Sequence, residues 1–134
     1  MEHEAITRTI IGSAYNVYNQ LGFGFLEGVY QKALLIELAK EQVQVEEEKP
    51  LKVYYDNTVV GDFYVDLFVN NEVVVELKSV QNFAKEHEVQ LVNYLSALNK
   101  EIGLLINFGP SGVQVKRKYR QYRQENSLRK DLQD

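Results

Sequence analysis

The chain contains no cysteine among its 134 residues. That excludes a disulfide framework and a thiolate zinc site, and it is compatible with a reducing compartment. No apolar run is long enough to cross a membrane. The first residues, Met1-Glu2-His3-Glu4, are acidic where an export signal needs a basic segment before an apolar one, so the expected location is cytoplasmic. No internal repeat, low-complexity segment or Pro/Gly-rich linker divides the sequence. Positive charge is short as well, and a net charge of −4 gives no global attraction to nucleic acid.

What is present is ordinary for a globular chain. Apolar residues make up 45% and charged residues 25%, and the length fits one domain with a real core. Charge is unevenly spread. Glu46-Glu47-Glu48 is an acidic run, and Lys116 to Arg123 is a basic run with Tyr119 and Tyr122 interleaved. Such runs are usually solvated surface, which is the favoured reading of both. The basic run also suits a phosphate backbone with stackable bases, so Lys116, Arg117 and Lys118 are candidate substrate contacts.

Periodicity places the elements. Ile6, Ile10, Ala14, Val17 and Leu21 recur at helical spacing over residues 2–20. Gly22 and Gly24 break that helix. A second helix is expected over residues 26–41, with Val29, Ala33, Ile36 and Leu38 as its buried stripe. Strand signals follow at residues 43–45, 51–55, 59–69 and 73–79, with turns at Asp56-Asn57 and Asn70-Asn71. A third helix is expected over residues 83–99. A short apolar run over residues 103–108 suits a strand buried on both faces, and a last strand is expected over residues 113–118. A polar tail begins at about residue 120 and is expected to be frayed or loosely helical from Gln124. A strand, a crossover helix and a second buried strand imply a right-handed parallel unit. The expected fold is α/β, a mixed β-sheet flanked by helices.

Asp66, Glu76 and Lys78 stand out against this background. Glu76 and Lys78 interrupt Val73-Val74-Val75-Glu76-Leu77-Lys78, a run that otherwise reads as a buried strand. Charges there are costly unless they neutralise each other or hold a cation. Alone, a Glu-x-Lys would read as a cross-strand salt bridge on a solvated face. Three further features accompany it. Gly24-Phe25-Leu26-Glu27-Gly28-Val29-Tyr30 reads as GxxExxY, Asp66 precedes the Glu-x-Lys, and Gln90 and Tyr94 share one helix face.

In that order and spacing the chain resembles the GxxExxY protein family, part of the PD-(D/E)XK nuclease superfamily. The resemblance runs from the first helix to residues 103–109. It implies a restriction-endonuclease-like core and a nuclease, acting on DNA more than RNA, with Mg2+ as cofactor and Mn2+ as a substitute. It implies that Asp66 and Glu76 bind the metal, that Lys78 activates water and stabilises the transition state, and that Glu27 adds a carboxylate from a helix. Gln90 and Tyr94 would sit near the site and the substrate backbone. Val65 stands where the superfamily often has proline.

The chemistry agrees with these roles. Two carboxylates and the Leu77 carbonyl would leave a hard cation positions for water and a phosphate oxygen. His87, one turn before Gln90, could contact phosphate or carry a proton. Tyr30 reads as a packing residue and Gly22, Gly24 and Gly28 as backbone punctuation. The arrangement makes one geometric demand. A two-residue turn at Asn70-Asn71 would pair Asp66 with Val75, whereas a loop of Asn70, Asn71 and Glu72 pairs it with Glu76. The second register, or a bulge with the same effect, is expected. Beside the nuclease stands an adaptor that keeps the fold and binds nucleic acid or protein without turnover. A homodimer or a partner protein could supply specificity to so small a chain.

Overall fold

Elements follow from local signals in the order α1, α2, β1, β2, β3, α3, β4, β5. The structure, a computed structural model, describes residues 3–121. The expected tail from Gln124, and Tyr122 and Arg123 of the basic run, lie outside those residues. Helix α1 (Glu4–Leu21) buries Ile10, Ala14 and Val17 as its spacing requires. Gly22 and Gly24, at φ 68° and 122°, turn the chain where a side chain would be strained.

Helix α2 (Glu27–Lys40) buries Tyr30, Gln31, Leu34 and Leu38. The expected stripe holds in part: Leu38 is buried and Ala33 packs on the core, but Val29 and Ile36 are 42% and 61% exposed. Apolar residues stand all round this helix, so periodicity alone does not choose a face. Tyr30 chooses it. Its ring stacks on Phe108 with centroids 4.3 Å apart, and its hydroxyl donates to the Gly22 carbonyl. Tyr30 is thus a packing residue that ties the glycine turn to the sheet.

Five strands form one mixed sheet in the order β1-β2-β3-β4-β5 among the described residues. Strand β1 (Val45–Tyr55) runs straight through the glutamates, where the sequence suggested two separate pieces. Gln31 explains part of this, since its amide donates to Glu47 and Glu48 at 2.9 and 3.0 Å. Lys32 adds an ion pair to Glu47 at 3.0 Å. Strand β2 (Thr58–Val69) returns antiparallel to β1, and β3 (Val73–Lys78) antiparallel to β2. Helix α3 (Lys85–Leu98) crosses over to β4 (Ile102–Gly109), which pairs parallel with β3. Strand β5 (Gly112–Tyr119) closes the sheet antiparallel to β4.

The sheet has two covered faces. Helices α1 and α2 pack on Leu67, Val69, Val73, Val75, Leu77 and their neighbours on β4. Helix α3 packs on the other face, against Phe68, Val74 and Leu105. Val65 and Leu51 also join the α3 side, although strict alternation would put Val65 with Leu67. The irregularity coincides with Glu48, which takes a left-handed φ of 53° in mid-strand. A residue in that conformation bends a strand and strengthens its twist. The outer half of the β1–β2 hairpin is thereby rolled toward α3.

Candidate active site

The pairing Val69–Val73, Phe68–Val74 and Leu67–Val75 defines the β2–β3 register. Continued one step, it sets Asp66 opposite Glu76, as the three-residue loop Asn70-Asn71-Glu72 demands. Asn70 and Asn71 both take left-handed φ, at 55° and 54°, which asparagine tolerates in turns. The main-chain ladder stops at this point and the carboxylates replace it. The Asp66 N–H donates to Glu76 Oε2, and the Leu77 N–H donates to Asp66 Oδ2, both at 2.7 Å. In an extended strand a residue's N–H and C=O point to the same side. The Leu77 carbonyl therefore faces β2 as well, beside both carboxylates.

The electrostatics are uncompensated. Glu76 is 8% exposed. Burial, and then the charge of Asp66, push its carboxyl up to about 8, against the pull of the Asp66 N–H and Lys78. Asp66 is also raised, chiefly by burial, with Glu48 and Glu27 adding repulsion while the Leu77 N–H and Lys78 oppose it. Such a pair favours a shared proton or a cation between its members. Among the described residues no three His, Asp or Glu side chains gather closely enough to enclose an ion by themselves. The fit is therefore to a hard cation that takes oxygens from Asp66, Glu76 and the Leu77 carbonyl and keeps water or phosphate for its remaining positions.

The other expected site residues distribute around this pair. Lys78 ends β3 on the same strand face as Glu76, and its charge lowers both carboxyls. Glu27 is the first residue of α2, exposed, with its charge felt at Asp66. Tyr94 is 6% exposed on α3. Burial and then the charges of Glu76 and Asp66 push its phenol up to about 12. Gln90 donates to the Tyr94 hydroxyl at 2.8 Å. His87 accepts the Ala84 N–H on Nδ1 at 3.1 Å, capping α3 and leaving the ring proton on Nε2.

The basic strand is less unified. Lys116 lies in one cross-sheet row with Glu76, through Leu105, but two strands away, roughly 10 Å. Lys116 and Lys118 both pair with Glu88 of α3, at 3.4 and 3.1 Å. Arg117 donates instead to Thr7 of α1, at 3.0 Å, on the opposite sheet face. These three residues are thus not brought into one surface with Asp66 and Glu76.

Two residues at the site escaped sequence reasoning. Glu48 stands across from Asp66, because Glu47–Leu67 and Lys49–Val65 flank it in register. Splitting β1 at the glutamates hid that placement. Asn107 is fully buried beside Lys78. Its amide accepts the Val80 N–H, donates to the Val80 carbonyl and donates to Gln114, at 2.9, 2.8 and 2.9 Å. It thereby holds the chain as it leaves β3 just after Lys78. A lone polar residue within the apolar run 103–108 was the available signal.

Comparison with known proteins bears on the fold and the family. No curated protein matches. The crystal structure of SSO0001 superposes with a TM-score of 0.56 at 18% identity, over 76% of this chain and 54% of that one. The likeness is one of fold, and the chain spans about half the length of that protein. Residues 4–121 match the family description of the PD-(D/E)XK nuclease superfamily, nearly the whole of what the structure describes. With the mixed sheet, the Asp66–Glu76 register and that match together, the chain belongs to the PD-(D/E)XK nuclease superfamily.

Proposed function

We propose that this chain is a GxxExxY-type, Mg2+-dependent phosphodiesterase that hydrolyses nucleic acid, DNA in preference to RNA. One observation carries the reading: two interlocked carboxylates, Glu76 buried and Asp66 half-buried, facing one another beside a lysine, whose repulsion a divalent cation would relieve. Asp66, Glu76 and the Leu77 carbonyl would hold the ion, with Mn2+ able to replace Mg2+. When bound, it would supply Lewis-acid polarisation of the scissile phosphate. Lys78 stabilises the negative charge that develops as water adds to phosphorus and the ester P–O bond breaks. Glu27, at the opening of the site, orients water or the ion. The Gln90 amide, held by the Tyr94 hydroxyl, positions the substrate backbone. His87 offers an Nε2 proton to a phosphate at the start of α3. Lys116 and Lys118 supply more distant attraction, and a second copy or a partner protein would add specificity.

The test is cleavage of single-stranded DNA, duplex DNA and RNA by purified protein with Mg2+ or Mn2+. Metal-dependent cleavage should disappear on chelation and in Asp66→Asn, and fall steeply in Lys78→Met. No cleavage of any of the three substrates by the parent protein, or equal cleavage by the variants, overturns the reading.

A further inference from the structure

We infer that the cleft between α3 and the β1–β2 hairpin is a base-binding subsite, so that the nucleic acid reaching Asp66 and Glu76 is single-stranded or locally unpaired. This rests on the nuclease reading above and specifies its substrate. The cleft holds about 1090 Å3, slightly more than the roughly 300–1,000 Å3 of small-ligand sites. It therefore has room for a short stretch of strand. Phe63 and Tyr94 form its aromatic wall, with ring centroids 5.6 Å apart and planes inclined at 46°. Phe63 keeps 39% of its surface in water, and Val53 and Val60 on the same hairpin and Val89 across the cleft on α3 are also exposed.

A wall of this kind suits the faces of bases, because every base presents a π surface regardless of sequence. It suits a duplex poorly. Duplex binding is dominated by cations set against phosphates, and here Lys85 stands next to Glu86, with Glu27 and Glu48 around the carboxylate pair. Asn93 and Ser96 add hydrogen-bonding groups along the α3 side of the cleft, where base edges would arrive. Tyr94 and Gln90 join the two regions. Both line the cleft, and the Tyr94 hydroxyl lies within the field of Glu76 and Asp66. A strand stacked on Phe63, whose ring is backed by the buried Tyr94, is thus carried toward the carboxylates along Gln90 and the Tyr94 hydroxyl.

The test separates binding from cleavage. Fluorescence anisotropy would be recorded with labelled oligothymidylate, and with a blunt mixed-sequence duplex of equal length, in chelator at low salt, where no turnover occurs. The single strand should bind about tenfold tighter than the duplex, and Phe63→Ala should weaken it about tenfold while Phe63→Trp preserves it. Ala97→Trp, which fills the cleft from the α3 side, should weaken it as well. Thermal melting checks that the variants fold; Phe63 is already exposed enough to be dispensable for the core. Equal affinity for strand and duplex, untouched by Phe63→Ala, overturns the inference. So does a change in solution mass in Phe63→Ala without a change in oligonucleotide affinity, which would mark the cleft as a face between copies of this chain. Failure of the nuclease reading alone would look different: strand binding that depends on Phe63, with no metal-dependent cleavage.

Discussion

Replacing Glu76 by glutamine should make the metal-free protein more stable at pH 8 and remove much of its pH dependence. Glu76 titrates near 8 in the fold, against 4.5 when solvated. A carboxyl raised in this way binds its proton more tightly folded than unfolded. Its contribution to stability is fully present below about pH 4.5 and is lost as pH rises through about 8. The full difference corresponds to on the order of 5 kcal/mol, a large part of the roughly 5–15 kcal/mol that holds a domain together. For a chain of this size that is roughly 15–20 °C in Tm. Asp66 is raised as well, and so acts in the same direction. The lowered carboxyls of Glu37, Glu47 and Glu88 titrate below this window and act in the opposite sense there. Glutamine keeps an oxygen to accept the Asp66 N–H, so Glu76→Gln removes charge without removing the bond. Calorimetric melting in chelator at pH 5, 6, 7 and 8 measures the slope. Parent Tm should fall steadily, Glu76→Gln should fall much less, keeping only the share due to Asp66, and the two should diverge most at pH 8. A flat parent profile, or equal slopes for both proteins, would refute the claim that an uncompensated carboxylate pair is built into this sheet.

Three further outcomes follow from named contacts. Lys78→Met should lower the cleavage rate by about 10²–10³-fold, the scale of losing one charge-stabilising group, while metal binding by titration calorimetry persists. Asn107→Ala should cost about 1–3 kcal/mol in urea unfolding, because the part-buried Val80 N–H and C=O lose their partner. Tyr94 should stay protonated until about pH 12 in the metal-free protein. Difference absorbance of Tyr94→Phe against the parent should show one missing phenolate that forms only at the alkaline end.

The element order was legible because α1, β2, β3, α3 and β4 carry strong single-period patterns bounded by glycine or asparagine. The Asp66–Glu76 juxtaposition was legible for a sharper reason. Strand parity leaves two loop lengths between β2 and β3, and only one brings the carboxylates together. Helix α2 was misjudged at its buried face because Val29, Leu34 and Ile36 are equally apolar, and the stacking of Tyr30 on Phe108 decides between faces. Long-range partners of that kind leave no local trace. Strand β1 was read as broken because three glutamates disfavour a strand, whereas Gln31 and Lys32 of α2 hold Glu47, and Gln31 also holds Glu48. With β1 broken, Glu48 could not be placed opposite Asp66. The division of Lys116, Arg117 and Lys118 between two sheet faces follows from strand alternation, and was readable once β5 was taken as a strand.

The central claim is that Asp66 and Glu76 jointly hold a divalent cation. Crystals soaked in Mn2+ and measured for anomalous scattering test it directly. The account predicts one peak within about 2.3 Å of an oxygen from each carboxylate, beside the Leu77 carbonyl, absent in Glu76→Gln. Anomalous density elsewhere on the chain with none between these two residues, in crystals that have taken up Mn2+, would contradict it.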